Sequence, residues 1–160
     1  MSQDDAASVT RQMGRTPRGD WRVVSRCSYG FPVLIATAPL VDGRPFPTLY
    51  YLTCPHLVSA ISAIESGGGC AAWRSRLAAD PTLADRLLDA DAQYRVARAR
   101  EGGGQDPAYG TGMGGERDPL GVKCLHVHAA AYLAGIGDPV GESLLRGLER
   151  ECGDGRCKED

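Results

Sequence analysis

The sequence predicts an α+β fold: a small antiparallel sheet of about three strands packed with four or five helices. Three observations predict it. Short apolar runs bounded by turn residues fill residues 21–54, while apolar residues recur at helical spacing from Pro55 to about Arg100 and again after Gly121. The connections between the strand candidates are also too short for crossover helices, which makes an antiparallel meander the simplest arrangement. At 160 residues the chain suffices for one domain with a real core.

Residues 1–14 lack periodicity and are expected to form a disordered tail, leaving a single domain over 15–150. The first strand is predicted from Trp21 to Cys27, with Trp21, Val23, Ser25 and Cys27 on one face and Arg22, Val24 and Arg26 on the other. Arg11, Arg15, Arg18, Arg22 and Arg26 read as a solvated face. Pro32 to Ala38, with Val33, Leu34 and Ile35, make a second strand, and Asp42-Gly43 a turn. Both faces of residues 48–54 are largely apolar, which predicts a covered, central strand. Pro55 suits the first helical position with Cys54 as N-cap, and Leu57, Val58, Ile61 and Ile64 form a stripe that stops at Gly67.

A short helix is expected over Ala71–Ala79. Asp80 and Pro81 then open a long helix in which Leu83, Leu87, Ala90 and Tyr94 recur, its charges reading as solvation. Residues 102–119 contain seven glycines and two prolines and read as a linker. Gly110, Gly112 and Gly115 match the dinucleotide fingerprint, but no strand precedes them and no helix opens directly after; Glu116 stands where a phosphate loop requires lysine. No nucleotide cofactor is indicated. From Gly121 to Ala134 the helical pattern resumes. If the helix has begun by Cys124, that residue shares a face with His128; if the first residues are extended, Cys124 pairs with His126. Asp138, Pro139 and Gly141 precede a last short helix, and residues 151–160 are expected to form a flexible tail.

A net charge of −2 gives no broad basic field for nucleic acid or an anionic membrane. The polar opening MSQDDAASVT predicts no signal peptide, no run approaches a membrane span, and the expected location is the cytoplasm. The six cysteines are therefore read as reduced thiols or metal ligands.

Two chemical readings follow. The first takes Cys27, Cys54 and Cys124 with His126 or His128 as ligands of zinc or an iron–sulfur cluster, although no Cys-x-x-Cys hairpin is present and a meander sets Cys27 and Cys54 roughly 10 Å apart. The second makes Cys54 a catalytic nucleophile at a helix N-terminus, with His126 or His128 as base. Cys152 and Cys157 sit in the expected tail, and Cys70 lacks a partner nearby in sequence. A third possibility from a different class is a protein-interaction module in which the cysteines are merely packed.

Taken in succession, RTPRG, RCSYGFPVLIATAPL, PFPTLYYLTCPHL and GVKCLHVHAAAYLAGIGDPVG resemble a bacterial family known as domain of unknown function 501, over roughly residues 11–142. The resemblance implies an actinobacterial setting and, through gene placement, a protein partner in cell division or the cell envelope. It assigns no activity. It sets Cys70, Cys152 and Cys157 outside the distinctive segments and the two histidines of HVH inside them.

Overall fold

The computed structural model describes residues 3–158. Its main sheet has three antiparallel strands, β1 (Trp21–Arg26), β2 (Pro32–Thr37) and β5 (Tyr50–Leu52), in the order β1-β2-β5. The meander is as expected. The third strand, however, lies at the edge of the sheet, and β2 is the central strand, buried along its whole length. Residues 48–54 are apolar on both faces for another reason: helix α5 (Leu125–Leu133) packs against β5, and α4 (Pro81–Glu101) reaches the segment before it. There the Leu49 N–H donates to the Tyr94 hydroxyl at 2.6 Å, and the Tyr50 and Tyr94 rings meet edge to face. A two-stranded hairpin, β3 (Leu40–Val41) with β4 (Arg44–Pro45), turns through Asp42 and Gly43, both at positive φ.

The remaining helices are α1 (Gln3–Met13), α2 (Pro55–Ser66), α3 (Gly69–Ala79) and α6 (Pro139–Arg146). Pro55, Pro81 and Pro139 each open a helix, where a missing N–H costs nothing. The expected disordered tail is instead α1. Asp4 and Asp5 complement its N-terminal dipole, Val9 is wholly buried, and Asp5 takes a two-pronged contact from Arg26 at 2.7 and 3.0 Å. Arg26 is thus a docking residue and not part of a free solvated face.

The C-terminal segment is also fixed. Cys152 is buried, residues Arg156–Lys158 form a 3-10 turn, and Gln12 of α1 donates to Pro32 O at 2.9 Å and to the Cys157 sulfur at 3.4 Å. Neither terminal segment has enough apolar residues to bury itself. Each is ordered by surface supplied by the other and by the sheet. Met1, Ser2, Glu159 and Asp160, the extremes of the two expected tails, lie outside the described residues.

Not all the charges of α4 are solvation. Arg98 is fully buried and grips Asp106 through two parallel bonds of 2.7 and 2.8 Å. Its other donors reach the carbonyls of Pro47, Ala108, Thr111 and Gly112. Burial alone would raise the Asp106 carboxyl, but the Arg98 guanidinium and the Ala108 N–H hold it below the usual carboxylate range. The glycine-rich segment 102–119 is therefore folded around one cation. Gly112 is required by close approach, since a Cβ there would stand 2.0 Å from Asp91 Oδ1.

Candidate metal centre

Helix α2 places Glu65 in its last turn, at the negative end of the macrodipole, where a carboxylate is disfavoured. The compensation comes from α5. Its N-terminus meets the end of α2, and the Leu125 N–H, unpaired within its own helix, donates to Glu65 Oε1. Glu65 is thus an acid at the wrong end of one helix that serves the right end of another.

Cys124 is the N-cap of α5 with extended backbone (φ −146°, ψ 121°). Because the helix begins only at Leu125, the second of the two sequence alternatives holds, and Cys124 pairs with His126. Its Sγ lies 3.6 Å from His126 Nδ1, and the same nitrogen lies 3.3 Å from Glu65 Oε1. The other ring nitrogen, Nε2, faces Val58 O at 3.1 Å and Ser62 Oγ at 3.2 Å. A backbone carbonyl and a carboxylate can only accept, so the charged ring donates from Nε2 to Val58 O and from Nδ1 toward Glu65, and a cation at Nδ1 would take the place of that second hydrogen. Contact with Cys124, opposed by burial and helped by the Val58 carbonyl and Glu65, pushes His126 up to about 9. One ligand atom from each of Glu65, Cys124 and His126 lies within 4.8 Å of the others, and among the described residues no other group of three His, Cys, Asp or Glu side chains does so.

The five sequence-predicted ligands do not come together as one set. Cys124 and His126 meet; Cys27, Cys54 and His128 do not join them. Cys27 lies in the turn between β1 and β2, its backbone bonded to Phe31 and Gly30. Cys54 does cap α2, but Glu65 is at the other end of that helix, about 16 Å away along the axis at 1.5 Å per residue. His128 points to α6, where Nδ1 lies 2.7 Å from Asp138 Oδ2 in a buried pair.

The nucleophile expectation for Cys54 meets two obstacles. Burial pushes its thiol up, and the N–H groups of Leu57 and His56 do not offset that rise. Neither predicted base is beside it, since His126 and His128 are engaged as described. Pro55, next to Cys54, lines one pocket with Cys157, which places that supposed tail residue at the same pole of the molecule.

Sequence reasoning missed Glu65, which looks like an ordinary solvated carboxylate. Its position against the α2 dipole was the available signal. Cys70, which sequence reasoning set aside, lies near the same segments. It stands in the first turn of α3, its Sγ donates to Lys123 O at 3.5 Å, and burial first, then the charges of Glu65 and Cys124, raise its thiol.

A family model described as "Protein of unknown function (DUF501)" matches residues 23–146, a span that contains Glu65, Cys70, Cys124 and His126. No curated protein and no solved structure matches the chain.

Proposed function

The chain belongs to the DUF501 family of proteins of unknown function, and from that premise we propose that it binds a divalent cation of the zinc class through Glu65, Cys124 and His126. One observation carries this reading: three donor atoms of the types zinc prefers converge on one spot. Bonds of 2.0–2.3 Å in a tetrahedron separate neighbouring ligand atoms by about 3.3–3.7 Å. The sulfur and the carboxylate oxygen stand 3.6 and 3.3 Å from His126 Nδ1, at that spacing.

The surroundings support the same reading. A metal-bound histidine characteristically donates its second N–H to a carbonyl or carboxylate, which fixes the ring and leaves the ligating nitrogen bare. Val58 O accepts that bond here. The donor set suits zinc better than an iron–sulfur cluster, because such clusters are held chiefly by thiolates. Binding displaces the proton shared around Nδ1 and any on the Cys124 sulfur, so affinity rises with pH until the ligands are bare.

Elemental analysis of the full chain, purified without chelator, tests the reading. Wild type is expected to hold about one equivalent of zinc or a close substitute, and Cys124→Ala and His126→Ala to hold markedly less. Wild type that stays metal-free after incubation with excess zinc and desalting would end it. The Cys124–His126 contact also favours a second reading, a thiol nucleophile at Cys124 instead of Cys54. That reading expects rapid alkylation of Cys124 at neutral pH with no protection by added zinc.

A further inference from the structure

Three protein ligands leave a tetrahedral cation one position short. An unused sulfur on the adjoining helix belongs to Cys70, which stands outside the group of three ligand atoms that lie within 4.8 Å of one another. Its thiol already rests on the carbonyl of Lys123, the residue before Cys124, at 3.5 Å. Two further contacts hold the start of α3 against both ligand segments. A Cβ built on Gly69 would stand 2.8 Å from Ile64 O, next to Glu65, and 2.9 Å from Leu125 Cδ1, next to Cys124. Arg74, one helical turn on, donates to Val122 O. The first turn of α3 therefore lies in the angle between the end of α2 and the beginning of α5.

We propose that Cys70 is the fourth ligand, closing the centre as two cysteines, one histidine and one glutamate. The inference rests on the metal reading above and deepens it. A closed set of four protein ligands makes the centre a structural clasp joining α2, α3 and α5, in contrast to a catalytic site with an open position. Closure needs a turn of the Cys70 side chain away from the Lys123 carbonyl, a weak contact for a thiol. The S–H proton passes to solvent as the sulfur–metal bond forms, so the step needs no oxidant or reductant. Cys70 is half-buried at the margin of the core, and serine is its nearest replacement in size.

The test is titration of the metal-stripped full chain with cobalt(II), reading sulfur-to-cobalt charge-transfer absorbance per bound ion. Wild type is expected to show the intensity of two thiolates, with Cys70→Ser and Cys124→Ser each showing about half. Cobalt affinity in Cys70→Ser should also fall by more than the ~10–100-fold typical of losing an outer-shell partner. Circular dichroism confirms the fold of each variant. Unchanged intensity and affinity in Cys70→Ser would overturn the fourth-ligand assignment while leaving the three-ligand centre standing. A wild-type chain that binds no stoichiometric cobalt or zinc would overturn both.

Discussion

His126 and His128 stand two residues apart on one helix, yet they sit in opposite kinds of surroundings. The His128 side chain is 4% exposed and its Nδ1 has one carboxylate partner, Asp138, whose other oxygen caps α6 through the N–H groups of Val140 and Gly141. Both oxygens of the Asp138 carboxylate are matched. The His126 side chain is 23% exposed, and its Nδ1 is shared between a sulfur and a carboxylate that both want the same positive charge. The first histidine fastens two helices; the second stands where a cation would satisfy several groups at once. What separates them is the count of anionic partners around one nitrogen, which the residue type alone does not reveal.

The largest expected effect strikes the fastened pair. Asp138→Ala strands a buried imidazole and uncaps α6, and should cost about 2–4 kcal/mol in chemical denaturation, the sum of an unsatisfied buried polar group and a lost N-cap. His126→Ala in metal-free protein should cost less than that, because its pair is partly exposed and screened by solvent. Equal losses at the two sites would dissolve the contrast.

Metal comes next. With zinc at a hundred times its dissociation constant, wild type should gain about 2.7 kcal/mol over the stripped protein. His126→Ala should gain markedly less, while His128→Gln, where it folds, should still respond. A thermal scan with and without chelator reads the difference.

A smaller effect concerns acidity in the stripped protein. The folded value of His126, about 9, exceeds its ordinary 6.5, so its stabilising contribution is complete below about 6.5 and fades as pH rises through 9. Denaturation midpoints at pH 6 and pH 10 should therefore differ more for wild type than for His126→Gln. A His126 ring that titrates near 6.5 by NMR would show that the sulfur and carboxylate do not hold its proton. The least effect is expected from Ser62→Ala, which removes one of two oxygens at Nε2 and leaves Val58 O, lowering metal affinity by about tenfold at most.

Much of the architecture was legible because its punctuation is chemical. Proline at 55, 81 and 139 marks helix starts, and Gly67 and Gly102 follow the last helical residues of α2 and α4. The pairing of Cys124 was left open for a definite reason: one residue of uncertainty in where α5 starts decides whether its neighbour is His126 or His128. Arg98 carried a signal that the reading of α4 passed over. It continues the spacing of Leu87, Ala90, Asp91 and Tyr94, so the stripe facing inward includes it. Glu65 and α1 were illegible locally, because each owes its place to a partner far along the chain: Leu125 for the first, Arg26 and β2 for the second.

The docking of α1 has a practical corollary for anyone trimming this chain. Cutting at residue 23, where the family match starts, would remove the first two residues of β1 together with the helix that seats Val9 and answers Arg26. Such a fragment would display raw apolar surface along β1 and the start of β2 and strip the Arg26 guanidinium of Asp5, an invitation to stick to itself. Boundaries drawn from likeness between sequences and boundaries drawn by burial do not coincide here, and a recombinant version should follow the latter.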